Sequence, residues 1–304
     1  MRYAEKKPQI AVVMNTYNHR YYIEQAIESV LNQKGSFKIK IFLSDDASND
    51  GTTDICNMYK NKFPESIDLH VAPENTSRRT AKHGFTRALN SDADYIAVCA
   101  CDDFWTDDNK LEKQLKIFEK NKKISTVIHN QLVNYEHQEV QPYETKNTYK
   151  KRRINTYDIL HNHPRSIVAS LLFRNVKSLP DWFYTSNSGD IALFIWLSTF
   201  GDIYYMDDVM ATYRRHDSST TAGWTRLSQN EKIDALKRKI IFYKNVRAFF
   251  RGKYSRLLNQ NISNRYCEMI SVLFAERNWG KLLAGVGAWA TSTPRDFIKY
   301  VLKK

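Results

Sequence analysis

The chain has no glycine-rich phosphate loop. Neither GxGxxG nor GxxxxGK[ST] occurs in its 304 residues, and glycine and proline are scarce at 10 and 7. A nucleotide here cannot be cradled by a run of backbone amides at a helix start. Low glycine and proline also argue against a flexible linker or a low-complexity tract, and no repeat period is present. Cysteine is sparse too: Cys56, Cys99, Cys101 and Cys267, with no CxxC pair. That excludes a zinc finger or a disulfide scaffold and predicts four reduced core thiols in a cytosolic protein. The start, MRYAEKKPQIAVV, has no signal-peptide apolar region. The longest apolar run, Leu282 to Ala290, is far short of the roughly 20 residues that cross a bilayer. The expectation is a soluble or peripheral protein.

Positive charge is abundant. The net charge is +13, aromatics make up 13% and hydrophobic residues 42%. A basic balance favours an anionic partner: a nucleotide, a nucleic acid or an anionic membrane. Lysine and arginine are dense in Lys146–Arg153 and again after Arg226, with no RNA-binding or zinc-finger signature beside them.

Strand-like runs alternate with helical periods along the first half. Ile10–Met14 is apolar and ends in NTYN; Ile23, Ala26, Ile27, Val30 and Leu31 then recur at helical spacing. Ile39–Leu43 ends in SDDASNDGTTD, where Thr52 or Thr53 can cap the next helix. Asp68–Ala72 is a third strand, and Arg79–Leu89 a helix. Tyr95–Cys101 is a fourth strand that delivers Asp102 and Asp103, before Phe104, Trp105 and a helix opening at Thr106. Such alternation predicts a mostly parallel sheet with right-handed crossovers. The sets Thr16/Tyr17, Asp45/Asp46 and Asp102/Asp103 should then converge at one sheet edge, where open α/β folds bind ligands. Adjacent carboxylates are unfavourable without a positive partner, and a divalent cation is the simplest one. Helix capping or solvent exposure of both acids remains the plain alternative.

Further along, Ser125–Tyr135 and Ile167–Phe173 have strand character, and the irregular stretch Glu136–Pro164 lies between them. Asp190–Phe200 reads as a buried helix that Ser186 or Ser188 could cap. Ile203–Met206 and Met210–Tyr213 are two short strands leading into YRRHDSS. From Arg226 to Lys304 the spacing is helical, and Thr293-Pro294 opens a short final helix flanked by Arg295 and Lys299.

Four pieces together resemble a known family: IAVVMNTYNHRYYIEQAIESVLNQ, IKIFLSDDASNDGTTD, YIAVCACDDFWTDDNKLEKQL and GDIALFIWLSTFGDIYYMDDVMATYRRH. They are similar to the inverting glycosyltransferases of family 2, and coverage runs from about Pro8 to Gly223. The form CDDFWTD is similar to a bacterial branch that builds surface polysaccharide, lipopolysaccharide or capsule chains. The resemblance implies an α/β GT-A fold, Rossmann-like, with a mostly parallel sheet flanked by helices and a helical C-terminal region. It implies a catalytic domain over residues 1–225 and a helical region over 226–304. It implies a nucleotide-sugar donor, usually a UDP-sugar, a Mn²⁺ or Mg²⁺ ion, and a glycan or lipid-linked acceptor. A nucleic-acid partner is not implied.

Carried onto this chain, the resemblance places Thr16 and Tyr17 at the base and Asp46 at the uracil N3 hydrogen. Arg79 and Lys82 would lie near base and diphosphate. Asp102 and Asp103 would form the acidic site, reaching ribose and metal, and Asp190 would be the catalytic base. One departure stands out: Ala100 occupies a position where many members carry an acid. For several residues two readings stand side by side. His216 is a metal or diphosphate contact, or a surface histidine. Arg214 and Arg215 touch diphosphate or are simply solvated. Lys146–Arg153 is a solvated loop before it is an acceptor clamp. The C-terminal region lies on the cytoplasmic face of the inner membrane, or packs on the catalytic domain or a second copy. A nucleotidyltransferase or a basic nucleic-acid-binding protein is the alternative for the whole chain.

Overall fold

The computed structural model describes residues 7–76, 78–136, 141, 143–145, 151–162, 168–186, 189–216, 227–275 and 279–301. Most of the basic run Lys146–Arg153, the cap candidate Ser188, Gly223 and the side chain of Arg79 lie outside the described residues. The chain divides into two compact units. One is built from Met1–Ile159, Pro164–Leu179 and Trp196–His216, the other from Leu160–His163, Pro180–Ile195 and Asp217–Lys304.

The first unit follows the alternation in the sequence. Its elements are β1 (Gln9–Thr16), α1 (Ile23–Leu31), β2 (Lys38–Asp45), α2 (Thr52–Lys62), β3 (Ile67–Val71), α3 (Arg78–Asn90) and β4 (Tyr95–Val98). Then come β5 (Phe104–Trp105), α4 (Lys110–Lys120), β6 (Ile124–Tyr135), β7 (Tyr143–Glu144), β8 (Arg153–Ile154) and α5 (Thr156–His161). A single 3₁₀ turn, Val168–Ser170, precedes β9 (Leu172–Arg174), and β10 (Asp202–Arg215) closes the unit. Among the described residues the sheet order is β3-β2-β1-β4-β9-β6-β10-β5.

The strands β3, β2, β1 and β4 are all parallel, with Thr16 opposite Asp45 and Val13 opposite Val98. The strand β9 is antiparallel to both β4 and β6, and β10 runs parallel to β6. The sheet is therefore mixed but mostly parallel along its main path. Two reversals at β9 restore the original direction. So β10 ends on the same edge as β1, β2 and β4.

Burial on both faces explains the unbroken apolar runs of β1 and β4. Ala11, Val12, Val13 and Met14 are fully buried, as are Ile96 and Ala97. Ile23, Ala26, Ile27 and Val30 of α1 pack on this core, together with Cys56, Leu111 and Phe118. The helix α3 comes unusually close. A Cβ on Gly84 would stand 2.8 Å from both Asn15 Oδ1 and Ser44 Oγ.

Several local expectations shift. The helix α4 begins at Lys110 and not at Thr106, because Phe104–Trp105 pairs antiparallel with Ala211–Thr212 of β10. The two short strands before YRRH are one bulged strand, with register shifts between Met206 and Val209 and again before Thr212. The cap of α2 is Gly51 at φ 97, not a threonine hydroxyl. Cys56, Cys99 and Cys101 are buried, whereas Cys267 is only half-buried.

In the second unit, a 3₁₀ segment (Asp181–Thr185) and most of α6 (Gly189–Leu197) join α7 (Gln229–Phe249), α8 (Ser255–Ala275), α9 (Trp279–Ser292) and α10 (Pro294–Val301). A capping box fixes the start of α7: Ser228 accepts from the Glu231 amide, and Glu231 accepts from the Ser228 amide. Ile233, Leu236, Ile240 and Val246 of α7 and Leu258, Ile262 and Met269 of α8 are buried as their spacing predicts. Polar groups inside are paired: Trp289 donates to Ser263 Oγ at 3.1 Å, and Ser263 meets Thr293 Oγ1 at 2.8 Å. No helix among the described residues is long and apolar enough to cross a membrane.

Candidate active site

The C-terminal ends of β1, β2, β4 and β10 gather the polar sets. At β1, Thr16 is buried beside the Cys101 thiol, while Tyr17 is 42% exposed. Pleat alternation puts them on opposite sides, so the Tyr17 ring is the one open to a ligand. At β2 the two acids part in the same way. Asp45 is consumed by local structure: its carboxylate accepts from Ser48 and Thr53, which shapes the turn into α2. Asp46 extends the ladder through its amide to the Thr16 carbonyl at 3.0 Å, and its Oδ1 accepts the Thr76 amide at 2.9 Å. Lys82 is exposed on α3.

Beyond β4 the chain turns tightly, with the Asp103 amide bonded to the Ala100 carbonyl at 3.0 Å. The adjacent acids then face different partners. The Asp103 side chain is 2% exposed and accepts the Arg214 amide at 3.1 Å. Burial, and then the neighbouring Asp102 charge, push its carboxyl well above the ordinary carboxylate range. Asp102 is less enclosed and meets His216 Nε2 at 3.4 Å. Burial raises its pKa, but the His216 hydrogen bond and the nearby His19 outweigh it and hold the carboxyl below its usual value.

His216 is 6% exposed, so it is not a surface histidine. Its ring lies 4.8 Å from Tyr22 and 6.2 Å from His19. Arg214 is neither a solvated cation nor open to a diphosphate. It is 6% exposed, and its guanidinium lies 4.4 Å from the Phe104 ring. It donates to the Asp102 carbonyl at 2.9 Å and to Gln25, and it pairs with Glu136 at 3.4 Å. Arg215 rests on Tyr135, donating to its hydroxyl at 2.8 Å.

The donor set here, an imidazole and a carboxylate, is of the kind that holds a divalent cation. His216 Nε2 and Asp102 Oδ2 stand 3.4 Å apart, against about 3.0 Å between neighbouring ligand atoms of an octahedral ion with bonds of ~2.1 Å. Among the described residues no set of three or more His, Cys, Asp or Glu side chains stands gathered to hold a metal. A two-donor protein site completed by phosphate oxygens and water is a normal arrangement for such ions.

Asp190 lies in the second unit, exposed in the first turn of α6. Within that unit its charge is felt by Lys239 and Tyr243 of α7.

Residues 11–178 match the model of glycosyl transferase family 2, more than half of the chain. The chain belongs to that family. Among similar proteins, an uncharacterised protein of Mycobacterium tuberculosis is 26% identical over 211 residues, covering 68% of this chain and 59% of that protein. The minor teichoic acid biosynthesis protein GgaA of Bacillus subtilis is 32% identical over 95 residues, covering 31% of this chain and 21% of that protein. The chain thus spans about three-fifths of the length of the first of these relatives. Two solved structures share the fold. Residues 1–349 of TarS from S. aureus superpose with a TM-score of 0.62 at 12% identity, covering 95% of this chain and 82% of that one. The mannosyltransferase PcManGT from Pyrobaculum calidifontis, in complex with GDP-Man and Mn²⁺, gives 0.56 at 13% identity, covering 94% and 76%. The family-2 chain therefore has the GT-A fold that the resemblance implies, built on the mostly parallel sheet that its strand alternation predicts.

Three residues of the site escaped the sequence: His19, Tyr22 and Glu136. Tyr22 donates to Glu136 at 2.6 Å. His19 and Tyr22 were legible only as part of a polar strand-to-helix turn, and nothing in the sequence tied them to His216.

Proposed function

We propose that this family-2 protein is a metal-dependent inverting glycosyltransferase. Its donor is a nucleotide-sugar, a UDP-sugar by preference, and its acceptor is a hydroxyl of a bacterial surface glycan or lipid-linked oligosaccharide. The single observation that carries this reading is the meeting of Asp102 and His216 at 3.4 Å on the sheet edge that also ends β1 and β2. The activities of relatives point the same way: GgaA serves teichoic acid biosynthesis, and RfbG of Shigella flexneri, 33% identical over 99 residues, is a dTDP-rhamnosyl transferase.

In this assignment Tyr17 offers its exposed ring face to the base, with Thr16 beside it, and Asp46 accepts the uracil N3 hydrogen. Arg79 and Lys82 serve the base and diphosphate. Asp102 and His216 hold the cation, with Asp103 in support from below. When bound, a Mn²⁺ or Mg²⁺ ion supplies Lewis-acid stabilisation of the departing diphosphate. Asp190 takes the proton from the acceptor hydroxyl as that oxygen bonds to the anomeric carbon. The bond from that carbon to the diphosphate oxygen breaks in the same step, UDP departs with the electron pair, and the anomeric centre inverts. One carboxylate suffices, since no covalent glycosyl intermediate forms. Trp182, Phe183 and Tyr184 are candidates for stacking on the acceptor sugar.

We assign residues 1–225 to catalysis and 226–304 to a helical region at the cytoplasmic face of the inner membrane or at a contact with a second copy. The net charge of +13 supports attraction to anionic lipid. The decisive experiment is release of UDP or GDP from a panel of nucleotide-sugars, with and without EDTA. Turnover is expected with one UDP-sugar and is expected to stop with EDTA. Asp190→Asn should abolish transfer and leave UDP affinity within about twofold. Near-normal transfer by that variant would remove Asp190 as the base. Stabilisation by a random oligonucleotide, with none by UDP plus Mn²⁺, would favour the nucleic-acid alternative.

A further inference from the structure

The turn after β1 carries a histidine to which the proposed chemistry gives no task. His19 is partly buried, and its Nδ1 is enclosed without a hydrogen-bond partner. A buried polar atom left unpaired is unfavourable and persists where something else uses it. Its ring stands edge-on to His216 with centroids 6.2 Å apart, and Tyr22 touches both rings, at 6.3 Å from His19 and 4.8 Å from His216. The charge that acts on it most strongly is Asp102. His216 meets the Asp102 carboxylate at 3.4 Å, and His19 stands beside His216 within the field of the Asp102 charge, the three residues coming from the turns that follow β1, β4 and β10.

The other oxygen donors near this point are already committed. Position 100 is an alanine. The Asp103 carboxylate is occupied by the Arg214 amide at 3.1 Å and is nearly sealed from solvent. Glu136 is engaged by Tyr22 and Arg214. Among the described residues at this point, Asp102 is the carboxylate that meets an imidazole, and His19 and His216 are the two imidazoles beside it.

We propose that His19 is a third protein contact to the divalent cation, making with Asp102 and His216 a nitrogen-rich set that prefers Mn²⁺ or Co²⁺ to Mg²⁺. The inference rests on the metal-dependent reading above and deepens it. Imidazole binds transition ions in the order Mn²⁺ below Co²⁺, whereas Mg²⁺ prefers oxygen ligands and gives up its water reluctantly. The three side chains are not gathered beforehand, so the cation draws His19 in as it binds. The backbone of the turn is held, with Asn18 at φ 55 and its side chain accepting the Asn49 amide at 3.0 Å, so the movement is a rotation of the His19 side chain.

The test counts nitrogen ligands directly. Mn²⁺ is bound to the full chain in the presence of UDP, and pulsed EPR reads its imidazole couplings, with ¹⁵N-histidine labelling to assign them. Two couplings are expected in the wild type, and one each in His19→Asn and His216→Asn. The Mn²⁺ dissociation constant, read from free-ion EPR, should rise about tenfold in His19→Asn, and the Mg²⁺ constant less than twofold. UDP affinity without metal and the far-UV spectrum show that the variant is folded, and His19→Gln repeats the measurement with side-chain length preserved. Bound Mn²⁺ with one coupling in the wild type, unchanged in His19→Asn, would overturn the role of His19 and leave the metal-dependent reading standing. No Mn²⁺ binding by the wild type with UDP would overturn both.

Discussion

Arg214 reaches from the end of β10 to the turn after β4 and donates to the carbonyl oxygen of Asp102 at 2.9 Å. Its own amide holds the Asp103 carboxylate, and its guanidinium is clamped between the Phe104 and Tyr22 rings and the Glu136 carboxylate. One buried cation thus sets the backbone that aims Asp102. Removing it would leave Glu136 and Asp103 without their positive neighbour in a low-dielectric place. Arg214→Met is expected to lower unfolding free energy by about 3 kcal/mol, measured by urea denaturation. It should also reduce kcat/KM by about a hundredfold, because small misplacements of reacting groups are expensive. Unchanged stability would mean that the Glu136 and Asp103 contacts are unimportant.

Lys110 is completely buried and has no carboxylate partner among the described residues. Its ammonium bonds Gln114 Oε1 at 2.9 Å and lies 4.0 Å from the centre of the Trp105 ring. Burial pulls its pKa down to about 7 from 10.5. The sign follows from proton counts. Between about pH 7 and 10.5 the unfolded chain binds a proton that the folded chain releases, so stability rises with pH across that window. Below it the penalty is fully present: on the order of 5 kcal/mol from the shift, offset by roughly 2 kcal/mol from the Trp105 face. Lys110→Met is therefore expected to be more stable than the wild type by roughly 3 kcal/mol at pH 6. The gap should narrow steadily above about pH 7 and close near pH 10.5, as read from urea midpoints across that range. A gap independent of pH would mean that Lys110 titrates normally.

Gly84 tests the packing that holds the nucleotide side of the sheet. Alanine there has the better helix propensity, by about 1 kcal/mol. The added methyl would meet Asn15 Oδ1 and Ser44 Oγ at 2.8 Å, and both belong to strands, not flexible tips. Moving α3 away would also pull Arg87 off the Leu43 carbonyl and Ser44 Oγ, each 3.0 Å from Nη2. Overpacking of this kind costs about 1–3 kcal/mol, so the clash should win. Gly84→Ala is expected to lower stability by about 1 kcal/mol and to weaken UDP binding. A more stable variant would show that α3 moves freely.

What was legible in the sequence was local. The runs IAVVM and YIAV are apolar because both faces of β1 and β4 are covered, and α1 shows its buried stripe through its 3.6-residue period. The convergence of strand ends followed from alternation alone. What failed were the inferences from polarity to a strand end and from charge to exposure. Asp207 and Asp208 broke the apparent strand in two, yet they sit at a bulge and reach out to Arg152 and Lys113. Lys110 and Arg214 look like surface cations in sequence. Their burial depends on Trp105, Gln114, Phe104, Tyr22 and Glu136, which only the tertiary fold brings to them. The different partners of Asp45 and Asp46 agree with pleat alternation at a strand end; those of Asp102 and Asp103 do not follow from it, because both residues lie in a turn where alternation no longer applies.

The two adjacent acids should therefore respond differently to the same chemical change. Asp103→Asn keeps an oxygen that can accept the Arg214 amide and removes a charge that the site disfavours. A carboxyl whose pKa is raised contributes stability below its unfolded value of 3.8, and that contribution is lost as pH rises through the folded value. At neutral pH the Asp103→Asn protein should thus be at least as stable as the wild type, and the two should converge as pH falls toward 4. Its Mn²⁺ affinity in the presence of UDP should stay within about threefold, since the carboxylate that meets His216 is untouched. Asp102→Asn removes that carboxylate, and Mn²⁺ affinity should fall by about a hundredfold with a small change in unfolding free energy. Loss of Mn²⁺ binding in Asp103→Asn, with affinity preserved in Asp102→Asn, would reverse the assignment and make the sealed acid the ligand.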